Sequence, residues 1–99
     1  MSDVLLEITV PAADAEEAGI ESRDEIERPL EEALLTSGLG EVTGGGGGMG
    51  VYIIEVEVDE ERFDAGLDLI RTALQLLRVP RSTRITRNHP DKVAFLVYE

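Results

Sequence analysis

From Val4 to Val10 apolar and other side chains alternate, with Val4, Leu6, Ile8 and Val10 on one side and Leu5, Glu7 and Thr9 on the other. That period of two predicts a strand with one covered face, ended by Pro11. The same alternation returns more strongly over 51–58, where Tyr52, Ile54, Val56 and Val58 oppose Ile53, Glu55 and Glu57. Between and after these runs the period lengthens. Phe63, Leu67, Ile70, Leu74 and Leu77 step by three and four, which predicts an amphipathic helix capped by Asp59 and finished before Pro80. Ile26, Leu30, Ala33 and Leu34 predict another, ended by Gly38. Ser22 and Glu25 have the spacing of a capping box, but Pro29 would remove a hydrogen bond inside a helix begun there. A start near Arg28, with Pro29 in the first turn, is therefore preferred.

The remaining segments are shorter. Residues 12–21 are small and acidic and predict a loop, with a short turn of helix as the alternative. Glu41 to Thr43 predicts a brief strand, and the unbroken run Gly44 to Gly48 a flexible hairpin leading into Val51. Ser82 to Arg87 and Lys92 to Tyr98 predict two last strands around the turn-forming Asn88-His89-Pro90-Asp91. The order is strand, helix, strand, strand, helix, strand, strand. Its first six elements match the split βαβ, or ferredoxin-like, α+β arrangement, with two helices on one face of an antiparallel sheet. The seventh would extend that sheet or pair with another subunit.

At 99 residues the chain is one domain, small enough that further burial in a homodimer would help it. It has no cysteine, which excludes disulfides, iron–sulfur clusters, thiolate-bound zinc and thiol nucleophiles. No apolar run is long enough to span a bilayer, and the N-terminus lacks the pattern of a signal peptide, so a cytoplasmic protein is expected. The net charge of −12 opposes nucleic-acid binding and favours attraction to basic partners.

The motifs offer little catalysis. Gly44 to Gly50 leads into a strand, whereas a phosphate loop must lead into a helix N-terminus, and no Lys-Ser or Lys-Thr pair follows. Gly46 and its neighbours are then either a passive hairpin or a recognition loop that permits close backbone approach, with Met49 as an adaptable apolar contact. His89, the one imidazole, sits in a turn and reads as a solvated residue. Glu55 and Glu57 share a strand face; they would serve a basic partner, hold a hard cation, or simply keep the face wet. No calcium loop is present, and no catalytic residue, cofactor or metal is assigned.

Charge is unevenly distributed. Residues 1–70 carry nineteen acids against three arginines, whereas residues 71–92 carry Arg71, Arg78, Arg81, Arg84, Arg87 and Lys92 against Asp91 alone. These cations would neutralise nearby acids such as Glu55 and Glu57, join acidic and basic patches in a homodimer, or form an anion site at Arg81, Arg84 and Arg87.

The segment Gly40-Glu41-Val42-Thr43 with its glycines, the strand Glu55-Val56-Glu57-Val58-Asp59 and the helix end Leu76-Leu77-Arg78-Val79-Pro80 together resemble small stand-alone ferredoxin-like proteins of uncharacterised function. The likeness covers about residues 38–98 and implies the fold but no catalytic motif. In size and charge the chain is also similar to acidic immunity proteins, which neutralise toxin domains of rival bacteria. The resulting expectation is a non-enzymatic domain whose acids, Glu55 and Glu57 with Gly46 and Met49 at an adaptable edge, meet a basic protein. The alternative is a regulatory domain that binds an anionic metabolite near Arg81, Arg84, Arg87 and the glycine loop.

Overall fold

The computed structural model describes residues 3–88 and 91–98. Over these the chain is α+β, with a five-stranded sheet whose paired strands are all antiparallel. In chain order the elements are β1 (Asp3–Pro11), α1 (Ala12–Glu17), α2 (Asp24–Ser37), β2 (Gly40–Gly48), β3 (Val51–Asp59), α3 (Phe63–Leu76), β4 (Arg84–Arg87) and β5 (Val93–Leu96). The strands lie side by side as β2-β3-β1-β4-β5. The last strand pairs with β4 of its own chain and so extends the sheet on that side.

Alternation decides which face is covered. Leu6, Ile8, Val10, Ile54, Val56, Val58 and Ile85 are buried, and they form one core with Ile26, Leu30 and Leu34 of α2 and Leu67, Ile70 and Leu74 of α3. Each such side chain contributes about 1.5–3 kcal/mol when fully buried, which is what holds the helices to this side. The intervening strand positions look away from the helices.

Three local expectations are corrected. The chain after Pro11 turns helical at once as α1, which buries Ala15 completely. The next helix begins at Asp24, so Pro29 lies inside it. This is tolerated because Pro29 and Glu25 are both exposed, leaving the Glu25 carbonyl, which loses its helical donor, within reach of water. Half of the capping box forms: the Glu25 carboxylate accepts from the backbone N–H groups of Glu21 and Ser22 at 2.6 and 2.8 Å, and no side chain caps the helix. Gly38 does end α2, in a left-handed conformation with φ 71°.

The glycine run is the largest correction. Gly44 to Gly48 is the second half of β2, paired residue by residue with Glu55 to Val51 of β3. The reversal is instead made by Met49 and Gly50, both at positive φ (52° and 80°), as a two-residue type I′ hairpin turn requires. Glycine is a poor strand former, so the ladder to β3 and the tight turn must hold this half. Its absence of side chains is partly obligatory: a Cβ on Gly45 would lie 2.5 Å from the Ile53 carbonyl oxygen. One extra residue, Thr43, bulges between the Val42–Val56 and Gly44–Glu55 pairs.

Candidate functional site

The sheet face turned away from the helices collects carboxylates through register. Glu55 and Glu57 lie there as expected, two residues apart on β3 and partly exposed. On β1, Glu7 is the direct partner of Glu55; on β2, Glu41 is the direct partner of Glu57. Four glutamates thus form two like-charged cross-strand pairs on three adjacent strands. Asp3 and Asp59, paired at the end of the β1–β3 ladder, continue the strip on the same face.

None of the four glutamate side chains makes an ion pair or hydrogen bond among the described residues. Asp59 differs. It accepts from the Glu61 backbone N–H and from Arg62 Nε, each at 3.0 Å, while Arg62 Nη2 also donates to the Gly38 carbonyl at 2.8 Å. Like charges directly opposite one another destabilise a sheet by about 0.2–1 kcal/mol per pair, so the arrangement costs the free protein stability that a bound cation would return. Among the described residues no three such side chains converge as a metal site.

Gly46 sits on β2 opposite Ile53, beside this strip, and Met49 is fully exposed at the hairpin tip. The three arginines of the anion-site expectation do not converge. Arg84 and Arg87 are three apart on β4 and face opposite sides of the sheet. Arg84 Nη1 donates to the carbonyls of Arg81 and Thr83 at 2.9 and 3.0 Å. Arg81 stacks over the Tyr98 ring, 5.1 Å from its centroid. Nor does the glycine segment approach them, since β3 and β1 separate β2 from β4, about 14 Å at ordinary strand spacing.

The basic segment instead ties down the C-terminal chain. Arg71 Nε donates to the Leu96 carbonyl at 2.9 Å and Gln75 to the Val97 carbonyl at 2.7 Å. Arg81, Arg84 and Arg87 form no ion pair among the described residues, so they do not neutralise Glu55 or Glu57. Two pairs among the described residues, Arg23–Glu27 and Arg62–Asp59, both use arginines from the acidic part of the chain. His89 lies outside the described residues.

Sequence reasoning missed Glu7 and Glu41. The signal was partial: Glu7 occupies the polar phase of β1 just as Glu55 does on β3, but only strand order and register make the two neighbours.

No family model, curated protein or solved structure matches the chain. No helix among the described residues is long and apolar enough to cross a membrane.

Proposed function

We propose that this is a non-enzymatic interaction domain whose acidic sheet face engages a basic protein, as an inhibitor or immunity-like protein would. The observation that carries the reading is the double like-charge pairing, Glu7 with Glu55 and Glu41 with Glu57, none of them ion-paired among the described residues. A lysine or arginine from a partner would relieve both repulsions at once, and the resulting complementarity would favour rapid association. The strand order supports a split βαβ sheet with β5 added beyond β4, and the lack of cysteine suits a reducing cytoplasm.

The reading is tested by titrating the ¹⁵N-labelled protein with a lysine-rich peptide at about 20 mM and about 500 mM salt. Binding should centre on β1 to β3 and weaken steeply with salt as charges are screened. A variant with Glu7, Glu55 and Glu57 all changed to Gln should lose it. Equal binding by parent and triple variant would overturn the proposal.

A further inference from the structure

As the terminal strand on its side of the sheet, β2 has one rim with no neighbour. The hairpin closes on the Gly48–Val51 pair, which exchanges hydrogen bonds in a two-residue turn. The antiparallel ladder then alternates, so Gly46 and Gly44 bond inward to β3, while Gly45 and Gly47 direct their N–H and C=O groups outward. Natural sheets guard such rims with lysines, prolines or inward-turned charges. Over Gly44 to Gly48 this rim has no side chain of any kind; its one protective device is the bulge at Thr43.

We infer that this edge takes a sixth strand: an extended segment of a partner protein with Lys or Arg at alternate positions. The inference rests on the basic-partner reading and adds how that partner is held. An added strand would lie about 10 Å from β3. Because Gly44 and Gly46 present only backbone on the acidic face, long cationic side chains can lie flat across β2 and reach Glu55 on β3. Any larger residues at 44 and 46 would close that corridor. The first half of the edge borders an open cleft of about 500 Å³ lined by Asp3, Glu41, Glu57 and Asp59, with Arg62 paired to Asp59 on its wall. It also adjoins the C-terminus of α2 at Gly38, whose carbonyl Arg62 already occupies. Cations from a partner are thus favoured at Glu41, Glu55 and Glu57, which form no ion pair among the described residues. The other edge strand of a second copy, β5 (Val93–Leu96), carries no lysine or arginine to place there.

The test uses the full chain and a peptide of alternating lysine and threonine, about nine residues long, at low salt. Two further peptides carry N-methyl groups on alternate residues, one in each register; they keep the charge but cannot pair as a strand on the blocked side. On the protein, Gly47→Pro removes an outward N–H without touching the hairpin bonds, and an edge strand tolerates proline there. The parent peptide should bind and protect the Gly45 and Gly47 amides from exchange. One N-methyl register and the Gly47→Pro protein should each weaken binding about tenfold or more, the scale of one or two lost hydrogen bonds.

If both N-methyl peptides and Gly47→Pro bind like the parent, strand addition is wrong while the acidic-face reading survives. If no peptide binds at low salt, both fall. If the protein self-associates in sedimentation and Gly47→Pro abolishes this, the edge belongs to a second copy and the inference is overturned.

Discussion

Changing Glu7 to lysine should make the protein more stable and a poorer binder. Glu7 is central in the sheet, with Glu55 as its partner on β3 and Thr86 on β4. Arg84 faces the same side two residues along β4, but its guanidinium is turned to the Arg81 and Thr83 carbonyls. Removing the like-charged pair and creating an opposite-charged one are each worth about 0.2–1 kcal/mol. Lysine and glutamate are similarly depleted in strands, so the charge terms dominate and the net gain should be about 1 kcal/mol. For a domain of this size that raises the thermal midpoint by about 4–8 °C. Glu7→Gln, which removes the repulsion and adds no attraction, should gain about half as much. Calorimetry at low salt and at about 1 M NaCl, where the screening length falls to about 3 Å, should show the difference between lysine and parent shrinking. The lysine variant should also bind basic peptides more weakly than the parent. Lysine and glutamine variants that melt with the parent at low salt would refute the idea that these carboxylates repel one another.

Three further outcomes test the packing. Gly66→Ala should destabilise, although alanine gains about 1 kcal/mol in helix propensity. Gly66 is buried, and its Cβ would overlap Val58 Cγ1, an overpacking cost of about 1–3 kcal/mol. Adding Val58→Ala should recover part of that loss in a double-mutant cycle, and strict additivity would contradict the contact. Thr83→Val should stabilise by about 1 kcal/mol in urea titration, because the Thr83 hydroxyl is fully buried with no hydrogen-bond partner; a loss of stability would reveal a partner for it. Met49→Asn should raise the urea midpoint by the equivalent of about 0.5–1 kcal/mol, since asparagine accepts a left-handed φ more readily than methionine. Met49 is fully exposed and gives up no packing, so an unchanged midpoint would argue against the positive φ at the turn.

Much of the secondary structure was legible because periodicity reports burial directly. The phase that buries Leu6, Ile8 and Val10 is visible in β1 alone, and the three-and-four spacing of Leu67, Ile70 and Leu74 announces the face α3 turns inward. Pro29 misled because propensity counts a lost hydrogen bond without knowing that the freed carbonyl is solvated. The glycines misled for a similar reason: their intrinsic disfavour for strands is local, whereas the ladder from β3 that overrides it comes from outside the segment. The candidate site was half legible. Glu55 and Glu57 follow from the alternation of one strand, and their separation is fixed by chain geometry. Glu7 and Glu41 stand 48 and 16 residues away from them in sequence, and register alone makes them direct neighbours.

The amino-acid sequence by itself determined which side chains of each element face inward, because hydrophobic burial acts on every strand and helix through its own period. It also settled the excess of acids and the absence of thiol chemistry. Only the tertiary structure decided that the acids would accumulate on one sheet face, that Arg71 and Arg84 would donate to backbone carbonyls and Arg81 stack on a tyrosine ring, and that a run of glycines would become an edge. Those outcomes depend on which strands lie side by side and in what register, and such pairings are made between segments far apart in the chain.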